Sequence, residues 1–327
     1  MKKLFYVILI VMVLCTVATL YVGYQMVCIA TTPYNYGQNY DTAFAMVYRA
    51  YPELRPWYDS LEQHGLVRDT TITNAEGTTL HALYMQHSEQ DSVQPSGAMM
   101  IIHGYCDDAP VMMRYAYCAY EVLGQNVLLP ERRWCGKSGG DHITYGWFDR
   151  LDMHQWLQVM HQLWHKPVVV HGLSMGAATA MMLSGDEIAD SLQVVGYIED
   201  CGYSNSWDLL ETQLDERYGL PAFPVLYAAS FINRLWHGWW FGDGDAVAQV
   251  ARCKKPMLFI HGTDDQLVPF KMVHKVFDAK QGEKYLWEVP QTKHAHSIHK
   301  HWQEYCQRLS TFINKVQGER TIRKGVE

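Results

Sequence analysis

Short apolar runs alternate along the chain with longer segments in which apolar residues recur every three or four positions. Runs of the first kind are typical of buried β-strands, and segments of the second kind are typical of amphipathic helices. Strands are predicted at 67–73, 80–85, 99–103, 126–129, 168–171, 193–198, 257–261 and 285–289, and helices at 42–49, 111–123, 147–164 and 301–316. This alternation predicts an α/β fold, in which a mostly parallel eight-stranded sheet carries helices on both faces.

The first 27 residues have a different pattern. Lys2 and Lys3 precede residues 4–24, an uncharged apolar stretch of about 20 residues, which is long enough to cross a bilayer as one helix. We find no small-residue cleavage site after it, so we expect a membrane anchor at 1–27 rather than a cleaved signal or a buried core helix. Because the lysines precede the span, we expect a single-pass protein of the cell membrane, with its main domain outside the cytoplasm.

Three further segments follow the predicted anchor. Residues 28–60 are rich in Tyr, Asn, Gly and Thr and are predicted to be a connector, and residues 61–320 are predicted to form the main domain. An insert at about 204–252 interrupts the alternation with two helical patterns, separated by the breaker Pro-Ala-Phe-Pro and followed by an aromatic cluster. We expect this insert to be a small helical cap, although each aromatic residue taken singly would equally suit a core.

Composition narrows the class of protein. The chain is 48% hydrophobic and 19% charged, which is typical of a globular protein, and its net charge of −7 excludes nucleic acid as an expected partner. The spacings of its eight cysteines match neither a small disulfide scaffold nor a paired zinc motif, so most of the cysteines are expected to be free. Nothing in the sequence predicts the oligomeric state.

One stretch carries the clearest chemical signal. The apolar strand at 168–171 runs into Gly172-Leu173-Ser174-Met175-Gly176, and a run of helix-forming residues follows at once. Glycines on both sides of a serine allow a strand and a helix to approach closely around a sharp turn. This pattern predicts that Ser174 is a nucleophile held up at the end of the sheet. A tight turn with a capping serine is the alternative, but it does not explain both glycines.

A serine nucleophile needs a histidine to accept its proton and a carboxylate to orient that histidine. Carboxylates follow the strand at 257–261, and histidines follow the strand at 285–289, so the three residue types occur in the order Ser, Asp, His. That order is the one expected of an α/β-hydrolase. From the residues alone, Asp264, Asp265 and Asp200 are candidates for the acid, and His294 and His296 are candidates for the base.

The segment at 261–269 reads His-Gly-Thr-Asp-Asp-Gln-Leu-Val-Pro and resembles the acid turn of α/β-hydrolases related to prolyl oligopeptidases and small bacterial esterases. The resemblance implies that Asp265 is the acid. The stretch His294-Ala295-His296-Ser297 resembles the base motif of the same family, which implies that His294 is the base. His296 stays a rival, because this chain has more histidines here than the family pattern.

Further segments at 129–140, 145–152 and 198–203 resemble one group of membrane-anchored bacterial α/β-hydrolases, so that the likeness covers most of residues 60–315. Glu131 and Trp134 stand where that pattern has Asp and Gly. The resemblance also implies that the loops after two neighbouring strands lie side by side, so Cys106 and Cys135 are the pair of cysteines to test for a disulfide.

The oxyanion hole of such an enzyme needs two backbone amides. Met175 directly follows the serine, and Tyr105 lies in the loop after the strand at 99–103. We therefore expect these two residues to donate to the oxyanion. No cofactor and no metal are expected, although a metal site formed by His294, His296, His299 and His301 is conceivable.

These residues predict a serine hydrolase that cleaves a carboxylic ester, a small-molecule acyl substrate, through an acyl-enzyme on Ser174. The alternatives are a peptidase of the prolyl-oligopeptidase type, a thioesterase or an acyltransferase. A binding protein that keeps the fold without the chemistry is the alternative from another class.

Overall fold

A computed structural model of the protein describes residues 1–34, 40–88, 90, 94–187 and 192–318. The chain forms two compact units: residues 1–32 with 205–244, and the remainder of the chain. The predicted boundaries at 27, 60, 204 and 252 stay predictions, and the last two residues of the predicted main domain, 319 and 320, lie outside the described residues.

The larger unit is built on one eight-stranded sheet. Its strands are β1 (Val67–Thr73), β2 (Thr79–Met85), β3 (Ala98–Ile102), β4 (Asn126–Pro130), β5 (Val168–Leu173), β6 (Val194–Asp200), β7 (Met257–Gly262) and β8 (Lys284–Val289). They lie in the order β1-β2-β4-β3-β5-β6-β7-β8. Strand β2 is antiparallel to both β1 and β4, and every other pair is parallel. The predicted α/β fold with a mostly parallel eight-stranded sheet is therefore confirmed.

Helices make up most of the remaining described structure. In chain order they are α1 (Lys2–Thr31), α2 (Tyr40–Ala50), α3 (Leu54–Gln63), α4 (Met113–Tyr117), α5 (Asp149–Trp164), α6 (Met175–Ser184), α7 (Ser206–Tyr218), α8 (Ala222–His237), α9 (Ala246–Val250), α10 (Lys271–Ala279), α11 (Ser297–Lys300) and α12 (Trp302–Gln317). All residues of β3, β4 and β5 are buried, as expected of central strands covered on both faces.

Two helical segments differ from the prediction. The helix predicted at 111–123 is three pieces: a 3₁₀ turn at Pro110–Met112, α4, and a π turn at Cys118–Val122 in which three successive residues are buried. Helix α3 was not predicted; it begins in the predicted connector and ends in the predicted main domain, and it contains Pro56. Pro56 falls in the first turn of α3, where the missing N–H has no intrahelical acceptor, so the proline is tolerated.

No disulfide joins the described cysteines of the larger unit, and Cys106 and Cys135, the pair that the resemblance suggested for a disulfide, are not bonded to each other. The pairing of those two in an oxidising compartment stays a prediction. Two other thiols are in direct contact: the sulfurs of Cys118 and Cys306 lie 3.1 Å apart, and both residues are buried. This contact joins the π turn after α4 to α12.

The smaller unit consists of α1, α7, α8 and the short 3₁₀ helix Phe241–Asp243. Helix α1 is the one helix of the described chain that is long and apolar enough to cross a membrane, and no residue of its most apolar stretch is buried. By length and composition it therefore fits the predicted anchor. Its C-terminal half packs against α8.

Candidate active site

Ser174 lies in the turn between β5 and α6, with φ 55° and ψ −116°. A non-glycine residue with positive φ is strained, and such strain is typical of functional turns. The two glycines of the motif make the turn possible. A Cβ added to Gly172 would lie 2.1 Å from the carbonyl oxygen of Gly176, and one added to Gly176 would lie 2.1 Å from the carbonyl oxygen of Ile102. The Ser174 amide donates to the Asp200 carbonyl at 2.8 Å, which ties the turn to the neighbouring strand β6.

Three of the residues predicted from the sequence form one hydrogen-bonded chain. The Oγ of Ser174 lies 2.7 Å from Nε2 of His294, and Nδ1 of His294 lies 2.7 Å from Oδ2 of Asp265. Because an ionised carboxylate only accepts, Nδ1 carries the hydrogen, and Nε2 is left to accept the serine hydroxyl. Ser174 and Asp265 are 9% and 6% exposed, so the chain of bonds is largely shielded from water.

The Asp265 carboxylate is held on both oxygens. Its Oδ1 accepts from the amides of Leu267 and Val268 at 3.0 and 2.9 Å. Its Oδ2 accepts from His294 and also lies 3.2 Å from Nε2 of His261 on β7. Burial raises the pKa of this carboxyl, but the hydrogen bonds from His261 and His294 outweigh burial and lower the pKa to about 2. Asp265 is therefore ionised over the physiological range and fixed in orientation.

The side chains of the rival candidates make other contacts. Asp264 is exposed, and its carboxylate accepts from its neighbour Thr263 at 3.4 Å. The Asp200 carboxylate is buried and accepts from the hydroxyl of Tyr305 at 2.9 Å. His296 is exposed, and its Nδ1 lies 2.6 Å from the carbonyl of His294, so its ring does not take the place of the His294 ring beside Ser174.

The four clustered histidines do not converge on one point in the described part of the chain. There the only group whose ligand atoms are close enough to hold a metal ion is Cys201, Asp265 and His294. Two of its three members already take part in the chain of hydrogen bonds at Ser174. His299 instead contacts Tyr51, and His301 lies 3.3 Å from the hydroxyl of Thr292.

The loop after β3 lies against the nucleophile. A Cβ added to Gly104 would be only 3.7 Å from the Cβ of Ser174. Tyr105 follows directly, is half-buried, and packs near the ring of Tyr145 at a centroid distance of 6.1 Å. Met175 is the first residue of α6 and is buried. The two residues predicted as oxyanion donors therefore belong to the two turns that meet at Ser174, and their role stays a prediction.

Arg132 is a buried residue of this region that the sequence analysis missed. Its backbone amide donates to Nε2 of His103 at 3.0 Å, and its guanidinium donates to the carbonyl of Gly104. Both Arg132 and His103 are essentially inaccessible to solvent. They fix the loop that carries Tyr105. The sequence placed Arg132 in a family loop but gave no sign of the residues it contacts, because they lie in another loop about 30 residues away.

Glu131, which stands where the family pattern has Asp, holds the same region from the other side. Its carboxylate is fully buried and accepts from the amides of Ala109 and Lys137 at 3.1 and 2.7 Å. It also lies 2.9 Å from Nδ1 of His81 and accepts from the hydroxyl of Tyr40. The replacement therefore keeps a carboxylate that joins the loops after β3 and β4.

Asp107 is a second residue near the nucleophile that the sequence analysis missed. A Cβ added to Gly104 would lie 2.6 Å from its Oδ2, so the carboxyl sits against the loop that contacts Ser174. Burial raises the pKa of Asp107 to about 6, against the opposing charges of Arg132 and His294. Asp107 lies three residues after Gly104 in the sequence, but the direction in which its side chain points could not be predicted.

Glu199 on β6 is a buried carboxyl beneath the Asp265 turn. Its Oε2 accepts from the Gly202 amide at 2.8 Å, and its Oε1 has no hydrogen-bond partner among the described residues. Burial raises its pKa to about 8, and the charges of Asp200 and Asp265 act in the same direction, while His261 opposes them. Glu199 is therefore mostly protonated at neutral pH.

We expect Glu199→Gln to change how stability depends on pH. In the wild type the unfolded chain releases this proton near pH 4.5 and the folded chain only near pH 8, so the free energy of unfolding falls as pH rises between those values. Glutamine removes that loss, which amounts to a few kcal/mol. Thermal unfolding in detergent at pH 5 and pH 8 should show a smaller drop in Tm for the variant, and an equal drop would contradict the assignment. Asp278→Asn, at an exposed acidic residue of α10, should keep the wild-type drop.

Comparison with known proteins places this geometry in a wider context. The sequence model of the alpha/beta hydrolase family matches residues 99–308 of this chain. An uncharacterized Bacillus subtilis (strain 168) protein, YqkD, is 29% identical over 220 residues, which cover 67% of this chain and 71% of that protein.

Solved structures share the fold at low identity. The Pyrococcus furiosus esterase Pf2001 is 20% identical with a TM-score of 0.61, and the match covers 77% of this chain and 92% of that chain. Acetyl xylan esterase 1 from Thermoanaerobacterium sp. is 16% identical with a TM-score of 0.53, over 74% of this chain and 83% of that chain.

Proposed function

The chain belongs to the alpha/beta hydrolase family, and from that premise we propose that it is a serine hydrolase that cleaves a carboxylic ester through an acyl-enzyme on Ser174. The observation that carries the proposal is the continuous chain of bonds from Asp265 through His294 to Ser174, with 2.7 Å at each step. Transfer of the hydroxyl proton to a histidine that a carboxylate orients is what makes a serine hydroxyl nucleophilic at neutral pH.

In the proposed acylation, Ser174 Oγ attacks the ester carbonyl carbon while its proton passes to Nε2 of His294. Asp265 stays ionised and stabilises the imidazolium that forms. The amides of Met175 and Tyr105 would donate to the oxygen that becomes negative, and each such donor typically contributes about 3 kcal/mol of barrier lowering. His294 then gives its proton to the departing alkoxide, and an acyl-enzyme remains.

Deacylation repeats the same steps with water. His294 takes a proton from a water molecule, the resulting hydroxide attacks the acyl carbonyl, and Ser174 leaves with the proton from Nε2. The product is a carboxylic acid. If an alcohol or a thiol replaced the water, the same acyl-enzyme would lead to acyl transfer instead of hydrolysis. A thioester substrate would form the same acyl-enzyme with a thiol as the leaving group, so the thioesterase and acyltransferase alternatives share this site.

An ester is preferred over a peptide for two reasons. Esterases are among the solved structures that share the fold. In addition, only about 30 residues lie between the predicted anchor and the predicted hydrolase domain at 61–320, which leaves no room there for a propeller that would filter peptides.

The test uses the full-length chain in detergent against matched substrates. We expect acyl esters to be cleaved with the highest kcat/KM in a panel that also contains thioesters and peptide amides with the same acyl group. Higher kcat/KM for the amides would favour the peptidase alternative. No turnover of any substrate, together with no labelling by a fluorophosphonate probe, would favour a binding protein.

We also assign α1 as a single-pass anchor, with residues 1–27 at the membrane, a connector at 28–60 and a hydrolase domain at 61–320 that contains the insert at about 204–252. The length and apolar composition of α1 support the anchor. Lys2 and Lys3 before the span favour a cytoplasmic N-terminus and an extracytoplasmic hydrolase domain.

A further inference from the structure

Helix α8 presents large apolar side chains to solvent. Tyr227, Phe231 and Leu235 follow one another at intervals of four residues, which places them in a row along one face of the helix. They are 57%, 46% and 72% exposed. Further exposed apolar side chains extend this row at both ends and beside its last turn: Phe223, Trp236 and Trp240. A contiguous exposed surface of this kind marks an interaction site.

The neighbouring helix of the same unit has the opposite character. The exposed residues in the second half of α7 include Glu211, Asp215, Glu216 and Arg217. Helix α8 carries a single charged residue, Arg234, whose guanidinium donates to the carbonyl of Gly238 at the end of the helix. Water therefore suits the surface of α7, and an apolar medium suits the surface of α8.

Another face of α8 packs on the proposed anchor. A Cβ added to Gly23 of α1 would lie 2.9 Å from the amide nitrogen of Ala229 and 3.0 Å from the Cβ of Ala228, so the two helices are in close contact. The rings of Tyr24 and Trp236 stack with centroids 5.6 Å apart and an interplanar angle of 11°. The exposed row on α8 thus borders a helix whose own exposed surface is apolar.

The lengths place this contact at a membrane surface. The hydrocarbon core of a bilayer is about 30 Å thick and takes about 20 helical residues. A span that begins after Lys3 therefore ends near Gly23 and Tyr24, which are the residues of α1 that α8 touches. Tyrosine and tryptophan, which occur in and beside α8, are the side chains enriched at this depth.

We propose that α8 lies in the outer interface of the bilayer, with Tyr227, Phe231 and Leu235 buried among lipid chains and headgroups, as a second membrane contact beside α1. This inference rests on the assignment of α1 as an anchor and not on the chemistry at Ser174. The partner is the lipid surface itself, because the row continues the apolar surface of α1 and carries no charge that would select a protein.

Brominated phospholipids test this directly, because bromine on an acyl chain quenches a tryptophan that touches it. The first tryptophan of the chain is Trp57, so α1 contributes no signal. Full-length protein is reconstituted in phosphatidylcholine vesicles with and without bromine, and emission is compared. We expect lower emission in the brominated vesicles and expect Trp236→Phe with Trp240→Phe to remove most of that difference.

Trp239→Phe is the matched control, since Trp239 lies between the two exposed indoles in sequence but is fully buried. It should leave the quenching unchanged. Protein that floats with the vesicles but has equal emission in both lipids overturns the proposal, and this is the result expected if α8 contacts a second copy of the chain instead. Quenching that survives the double substitution also overturns it. Protein that does not float overturns the anchor and this proposal together. Fluorophosphonate labelling reports on the hydrolase separately.

Discussion

Replacement of Ser174 by alanine is expected to lower kcat for an acyl ester by about a millionfold and to abolish labelling by a fluorophosphonate probe. The alanine variant keeps the turn but removes the only atom that the proposed mechanism bonds to the acyl group. The rate that remains would come from binding and from the oxyanion amides acting on water. Initial rates with purified full-length protein and gel fluorescence of the probe measure the two effects.

Ser310→Ala is the control for this experiment. Ser310 on α12 is 9% exposed, as Ser174 is, but lies in the helix that closes the fold. Its substitution should leave both rate and labelling close to those of the wild type. Undiminished labelling of the Ser174 variant would remove Ser174 from the mechanism, and a folded variant with wild-type kcat would remove the acyl-enzyme as well.

His294→Ala is expected to have an effect of similar size, about a millionfold in kcat, because the serine loses the group that accepts its proton. Nε2 of His294 lies 2.7 Å from Ser174 Oγ, whereas Nδ1 of His296 lies beside the carbonyl of His294. His296→Ala should therefore keep most of the activity. Steady-state kinetics of the two variants on the same ester compare them directly.

The two histidine variants form a matched pair, because the substitution is the same and the positions are two residues apart. A large loss for His296→Ala and a small one for His294→Ala would reassign the base. Equal large losses, with unchanged circular dichroism, would indicate that both rings are needed and would contradict a mechanism with one base.

The features that the sequence predicted are those encoded within a few residues. All eight strands were located because buried runs such as 168–171 are bounded by glycines or polar residues. The turn at Ser174 was predicted because Gly172 and Gly176 are needed at that spacing, and the added-Cβ distances of 2.1 Å explain why no larger residue fits.

One feature of the site that it missed depends on contacts between distant segments. Arg132 donates to Gly104 and His103, which lie about 30 residues earlier in the chain. Helix α3 was not predicted either, although Pro56 lies in its first turn, where a proline does not interrupt a helix. The exposed row on α8 could be read as core in the sequence, since only the structure shows which face of the helix packs on α1.

The close contact of Gly23 with Ala228 and Ala229 bears on how the protein can be produced. A truncated form that lacks α1 would uncover this face of α8 in addition to the apolar row that is already exposed. Such a form would expose two adjacent apolar surfaces on one helix and would tend to aggregate during purification. We expect the protein to stay monodisperse when it is expressed with α1 and extracted in a mild surfactant, because α1 then keeps this face of α8 covered.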